Sequence, residues 1–212
     1  MILLKNILLL DLQKDLIGMN KFIKLLFIIC TVIMLQFSQS LAEEKKMIGV
    51  MSVVIGEAFN QNNIKLISGS KIFYGDTIIV KENSNTQILF LDETVLSVGE
   101  KSELVIDEFV YNPETKVGKF VSTIKNGSVK VLTGRISDQN PDNLKINVPA
   151  GVVGSRGTEF AVYAEAGKKS SVLLLGPGPQ NQLGLVPGNI NLTDGKNSIT
   201  IDTPGLAGIM TK

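Results

Sequence analysis

Residues 77–98 read TIIVKENSNTQILFLDETVLSV, and this stretch decides the fold class. Short runs of Ile, Leu and Val are separated by polar turns at Asn83-Ser84-Asn85 and Asp92-Glu93, and no helical spacing of apolar residues is sustained. Runs of this kind, bounded by Asn, Asp and Ser, are typical of β-strands. The stretch therefore predicts consecutive strands and no helix.

The same pattern continues along the chain from Met47 and predicts an all-β domain. Between Tyr74 and Phe109 strands recur at a spacing of roughly eight to ten residues, which fits either a β-sandwich or the stacked turns of a short β-solenoid. The predicted strands are Ile48–Ile55, Thr77–Lys81, Thr86–Leu91, Val95–Val98, Glu103–Ile106, Gly118–Lys125, Ser128–Leu132, Leu144–Val148, Thr158–Tyr163, Ser171–Leu175 and Ser198–Ile201.

One dipeptide gives a specific hairpin prediction. Asn126-Gly127 lies between two alternating runs, and both residues tolerate the positive φ of a type I′ turn. We therefore expect the strand with Phe120 to lie antiparallel to the strand with Val129. After Leu175 the chain becomes rich in Gly and Pro, so residues 176–212 are predicted to be irregular, with a long loop over Gly176–Asn189.

The N-terminal residues have the pattern of a secretory signal. Lys21 and Lys24 precede an uncharged run over Leu25–Phe37, and small residues follow up to Ala42. We expect residues 19–42 to be a signal peptide cleaved after Ala42, residues 1–18 to be an extension from a start codon assigned too early, and residues 47–212 to form the domain. Retention of the apolar segment as a membrane tether is the alternative.

Composition removes most catalytic chemistry from the mature chain. The sequence has no histidine, its single cysteine, Cys30, lies in the signal, and its charges nearly balance. The commonest general base, thiolate metal ligands and Ser-His or Cys-His pairs are therefore missing. We expect no enzyme activity, no cofactor and no metal, and the balanced charge gives no reason to expect nucleic acid as a partner.

Carboxylates are the remaining candidates for chemistry. Adjacent residues of a strand point to opposite faces, so neither Asp92 with Glu93 nor Asp107 with Glu108 would converge on one substrate. A calcium site at Asp138, Asn140 and Asp142 has alternating oxygen ligands but lacks the glycine and distal glutamate of an EF-hand loop. We interpret the pairs as solvated charges and residues 138–142 as a polar turn.

The most specific motif runs from Val148 to Val162 and holds three closely spaced glycines before Thr158. A phosphate-binding loop is one interpretation, but the spacing matches neither common phosphate motif and a strand follows. In the structural interpretation, alternation places Thr158, Phe160 and Val162 in the core, and Arg156 satisfies loop carbonyls or pairs with Glu159. The motif residues, which we expect to be structural, are Pro149, Gly151, Gly154, Arg156, Gly157, Thr158 and Phe160.

The segment Val148–Phe160 resembles the signature of the FecR domain, which has the form Thr/Val-Pro-x-Gly-x-x-Gly-x-Arg-Gly-Thr-x-Phe. Similar features upstream, such as Gly75-Asp76-Thr77-Ile78 and Ser102–Ile106, extend the resemblance over about Val50 to Val172. It implies a periplasmic β-rich module, best known in regulators that relay iron-siderophore status to an anti-sigma factor. The chain lacks a recognisable anti-sigma segment and receptor-contacting domain, so the resemblance supports a stand-alone module and assigns no catalytic role.

These observations favour a non-catalytic binding module of the bacterial cell envelope, with a sensing or scaffolding role. Its expected partner is an envelope protein or glycan, contacted through sheet edges or loops. One alternative is a structural envelope protein that self-associates through exposed strands. A second is an anchored regulator in envelope signal transduction.

Overall fold

The computed structural model describes residues 46–139, 141–176 and 188–211, together with six helical residues, Lys21, Ile23, Leu25, Leu26, Ile29 and Cys30. Residues Met1–Glu44 and Lys45–Lys212 are separate compact units. The extension 1–18, most of the predicted signal peptide and most of the predicted loop after Gly176 lie outside the described residues. No helix in the described part of the chain is long and apolar enough to span a membrane.

The second unit is all-β, as predicted, and its described residues form sixteen strands. A five-residue helix, α1 (Arg135–Gln139), and a 3₁₀ turn (Pro141–Asn143) interrupt them. The strands are β1 (Met47–Ile55), β2 (Ala58–Asn60), β3 (Lys65–Leu66), β4 (Lys71–Phe73), β5 (Thr77–Val80), β6 (Asn85–Phe90), β7 (Val95–Val98), β8 (Ser102–Tyr111), β9 (Gly118–Leu132), β10 (Leu144–Val148), β11 (Gly151–Arg156), β12 (Glu159–Ala164), β13 (Lys169–Gly176), β14 (Asn189–Thr193), β15 (Ser198–Ile201) and β16 (Ala207–Thr211).

The strands form two layers that share β9. Sheet A has the order β4-β1-β6-β7-β9-β12-β13-β16 and contains the C-terminal half of β9. Sheet B has the order β3-β2-β5-β8-β9-β10-β11-β14-β15 and contains the N-terminal half. Because β9 passes from one layer to the other, all the strands belong to one hydrogen-bonded network.

The inner faces of the two layers pack against each other as in a β-sandwich. Phe90 of sheet A contacts Phe109 and Phe120 of sheet B, with ring centroids 5.6 and 4.7 Å apart. Alternate residues of nearly every strand are buried, as the period-two pattern of the sequence predicts. Burial of these aliphatic and aromatic side chains supplies the main stabilisation of residues 45–212, which contain no cysteine.

The predicted hairpin at Asn126-Gly127 is wrong, because both residues lie inside the continuous strand β9. A type I′ turn needs positive φ at both central residues, and of these two only Gly127 has it, at +96°. A side chain at Gly127 would meet the Cα of Ser102 at 2.6 Å, so glycine permits the close approach of β8.

Around Gly127 the alternation of buried and exposed residues along β9 shifts by one position. Phe120 and Ile124 are buried in the first half and Val129 and Val131 in the second, so one residue is skipped in the alternation. A bulge-like irregularity of this kind lets one strand present an inner face to both layers.

Two other predictions about the chain need correction. The polar turn predicted over residues 138–142 is occupied by the end of α1 and by the 3₁₀ turn, which are too short to give a periodic signal. The region predicted to be irregular after Gly176 contains β14 and β16 in addition to the predicted strand β15. Glycine and asparagine within β14 and β16 lower strand propensity, although cross-strand packing compensates for it.

Candidate functional site

The glycine-rich motif is one of the places where the chain changes sheets. Pro149 and Ala150 form the turn after β10, and residues predicted to be a loop form strand β11 of sheet B. Gly157 and Thr158 then lead into β12 of sheet A, and Gly157 has a φ of +54°. The motif therefore joins the two layers by a strand, a two-residue corner and a second strand.

Thr158 is the buried anchor of this corner, with 2% of its surface exposed. Its N–H donates to Thr133 Oγ1 at 2.8 Å, and its own hydroxyl donates to the carbonyl of Gly176 at 2.7 Å. The corner is thereby fixed to the end of β9 and to the end of β13. Phe160 and Val162 are also buried, as the alternation predicts, and Tyr163 points outward.

Arg156 and Gly154 lie on the outer face of sheet B. Arg156 is exposed at the end of β11, and Glu159, one of its two predicted partners, instead binds Lys130 with 2.8 Å between Nζ and Oε1. An added Cβ at Gly154 would have no atom within 4 Å. Neither residue is required by the packing of the described atoms around it.

A contiguous apolar row crosses the outer face of sheet A. Val50 pairs with Leu89, Leu89 with Val95, and Val95 with Leu132 on four adjacent strands. Leu89 and Leu132 remain 41% and 47% exposed. Cross-strand neighbours at such positions are close enough to form one surface. Lys71 and Glu159 stand in register at the two ends of this apolar row.

A polar row runs beside the apolar row. Gln87, Ser97 and Lys130 are cross-strand neighbours, and Gln87 Nε2 donates to Ser97 Oγ at 3.4 Å. These three residues, with Val53 and Ala161, line a groove of about 410 Å³ on the same face. Sequence reasoning missed both rows, because their members are far apart along the chain and become neighbours only through strand pairing.

Residues 76–177, from the start of β5 to the end of β13, match the family model described as FecR protein. The chain carries a FecR domain. The match indicates an envelope signalling-related domain, and proteins with FecR domains are typically envelope-associated. No curated protein and no solved structure gives a significant match.

The FecR domain contains the sheet-changing motif and most of both rows. Leu89, Val95 and Leu132 of the apolar row lie inside the matched residues, as do all three members of the polar row. The strands outside the match are β1–β4 and β14–β16, which complete the two edges of the sandwich. The outer face of sheet A that carries the two rows thus lies mostly within the FecR domain, and the flanking strands extend this face.

The candidate carboxylates of the FecR domain do not converge. Glu93 binds Arg135 at 3.0 Å, Glu108 binds Lys119 at 2.7 Å, and Asp107 accepts a 2.6 Å hydrogen bond from Thr123. In the described residues no three Asp, Glu, His or Cys side chains are grouped as a metal site would need. Asn140, part of the calcium pattern that we considered, lies outside them.

Asp92 is fully buried and organises the turn before β7. It accepts hydrogen bonds from the hydroxyl of Thr94 at 2.7 Å and from the N–H of Thr94 at 3.1 Å. The Asp92 carbonyl accepts from the N–H of Arg135 at 2.8 Å, and Thr94 Oγ1 accepts from the N–H of Gly134 at 3.0 Å. These bonds tie the β6–β7 turn to the start of α1, which is a structural role.

Stability should depend on pH through Asp92. Burial raises the pKa of its carboxyl above the ordinary value of 3.8, and the hydrogen bonds from Thr94 only partly oppose this. A raised folded-state pKa adds stability that is present below the unfolded pKa and is lost as pH rises through the folded pKa. Measured by urea unfolding from about pH 3 to 7, wild type should therefore lose stability relative to Asp92→Asn. A relative gain with rising pH would contradict this.

Proposed function

We propose that the protein is a non-catalytic interaction module of the bacterial cell envelope, exported to the periplasm by residues 19–42 and processed after Ala42. Its partner is an envelope protein that docks on the outer face of sheet A. The observation that carries this proposal is the apolar row, in which Leu89 and Leu132 are exposed and Val50 and Val95 are half-buried. Contiguous exposed apolar surface on a soluble protein is often a site of interaction.

The chemistry of the face favours a protein as the partner. An apolar row beside a groove with amide, hydroxyl and ammonium groups matches the usual apolar centre and polar rim of a protein interface. The Lys130–Glu159 ion pair lies at the rim, where charges contribute to orientation and specificity more than to affinity. A glycan would instead depend on the polar row, and the experiment below separates the two.

The absence of a catalytic role has separate support. Each candidate carboxylate is already engaged: Glu93 and Glu108 in ion pairs, and Asp92 and Asp107 in hydrogen bonds with threonine hydroxyls. A sensing role within envelope signal transduction is compatible with docking on sheet A, since signalling requires a partner that is bound reversibly.

The test is a pair of charge substitutions on opposite faces. Leu132→Lys places a charge in the apolar row opposite Glu159, and Val110→Glu places one on the outer face of sheet B opposite Lys119. Each new charge has an opposite charge as its cross-strand neighbour, so both variants should fold. Site-specific photocrosslinking from Ser97 in the native envelope should capture a defined protein in wild type and Val110→Glu.

Leu132→Lys should reduce that capture at least about tenfold, since a docked partner would have to desolvate the ammonium against apolar surface. Equal capture by both variants would refute docking on the apolar row. If Gln87→Ala removes binding to isolated envelope glycan while Leu132→Lys does not, the partner is a glycan held by the polar row and the proposal fails in its choice of partner.

A further inference from the structure

The C-terminal end of the sandwich is an open sheet edge. Among the described residues β16 pairs only with β13, and β15 pairs only with β14. Leu174 N–H donates to the carbonyl of Leu206 at 3.1 Å. Because backbone groups alternate in an antiparallel ladder, those of Ala207, Ile209 and Thr211 point to the open side of β16.

Within strands β15 and β16 themselves, the charges and prolines that usually protect an edge are missing. Natural edge strands are kept from pairing by charged side chains, by proline or by being very short. The opposite edge of the sandwich fits that rule, since β3 and β4 have two and three residues and each carries a lysine, Lys65 or Lys71. Strands β15 and β16 have four and five residues and contain neither charge nor proline.

Apolar side chains at this edge are also uncovered. Ile209 is 66% exposed, and Leu206 just before β16 is 54% exposed. Ile199 is 51% exposed although it is in register with the buried Leu192, so it occupies an inward-facing position. In the described part of the chain, the core is therefore incompletely covered at Ile199.

We propose that β16 pairs with β16 of a second copy of this chain, in an antiparallel dimer with twofold symmetry centred on Ile209. A twofold interface requires a self-complementary surface. An uncharged strand meets that requirement, because no like charges face each other when it pairs with itself. Ile209 then exchanges backbone hydrogen bonds with Ile209 of the other copy, and Ala207 does so with Thr211.

The dimer interface is formed by the backbone edge of β16 and does not include the apolar row. It does lengthen the sheet whose outer face carries that row. Leu173 pairs with Ala207, so the outer face of sheet A reaches β16 at the level of the polar row. In the dimer, sheet A continues from one copy into the other. Failure of the dimer would leave docking on the apolar row intact, and failure of docking would leave the dimer intact.

The test uses charge reversal at the symmetry axis. Protein purified after expression of the full chain is compared with Ile209→Lys, Ile209→Glu and the control Val110→Glu by sedimentation velocity over about a hundredfold range of concentration. Wild type and Val110→Glu should form dimers. Each Ile209 variant alone should dissociate with a constant raised at least about tenfold, because it places like charges opposite each other.

Mixing the two Ile209 variants decides the register. Residue 209 faces residue 209 only in the proposed pairing, so an equimolar mixture of the Lys and Glu variants should recover dimers that neither forms alone. A wild-type protein that stays monomeric at every concentration overturns the proposal. Dimers that persist in both separate variants, or a mixture that stays monomeric, also overturn it, and binding of a foreign strand to monomeric wild type would assign the edge to another partner.

Discussion

Gly151→Ala is expected to lower the free energy of unfolding by about 3 kcal/mol, whereas Gly154→Ala should change it by less than about 1 kcal/mol. Both glycines belong to the same motif and the same strand, β11. A Cβ at Gly151 would collide with the carbonyl oxygen of Thr193 and lie 2.8 Å from the sulfur of Met210. The Thr193 oxygen belongs to the neighbouring strand, which cannot move without breaking the ladder.

Gly154 is the matched control, because an added methyl group there meets open space. Removing glycine's freedom from the unfolded chain even favours a small gain in stability at such a site. The two variants are compared by urea unfolding, with the slope used to confirm that the same surface is exposed. Equal effects of the two substitutions would show that close packing at Gly151 is not what the motif requires.

Thr158→Val is expected to destabilise the protein by about 2 kcal/mol, and Arg156→Ala by less than about 0.5 kcal/mol. Valine keeps the volume of Thr158 but removes the hydroxyl that donates to Gly176. The lost bond holds the sheet-changing corner to the end of β13, and the site is buried. Arg156 is exposed, so its truncation removes little that the described packing uses.

Thermal melting of the two variants beside wild type measures this difference. At this size a loss of 1 kcal/mol corresponds to a fall in Tm of about 2–4 °C. A larger fall for Arg156→Ala than for Thr158→Val would make the arginine the structural centre of the motif. If Arg156→Ala keeps its stability but loses its partner, the outer face of sheet B takes part in binding.

The sequence predicts the fold class well because most strands show period-two burial. The predicted and observed bounds agree for Val95–Val98, Leu144–Val148 and Ser198–Ile201. Strand β11 was missed because Gly151 and Gly154 have low strand propensity, and tertiary contacts on both sides override it. The hairpin at Asn126-Gly127 was predicted from a local rule, but the contact of Gly127 with Ser102 decides the outcome.

The apolar row on the outer face of sheet A could not be predicted from the sequence. Leu89, Val95 and Leu132 each look like an ordinary alternating strand residue, and nothing local indicates that they form one row. Their adjacency depends on the order of strands in sheet A, in which β9 follows β7 although β8 lies between them in the chain. The motif itself was predicted to be structural, but the change of sheet that it produces depends on pairing with β14 and β13.

The strand shared by the two sheets has a consequence for how the protein folds. β9 pairs with β7 and β8 before it in the chain and with β10 and β12 after it, so neither layer is complete until this strand is in place. The pairings with β7 and β12 are non-local, and such pairings slow folding because long loops must close before their contacts contribute. We therefore expect both layers to form in one cooperative event, and we expect a chain cut within β9 to leave two fragments that are not stable separately.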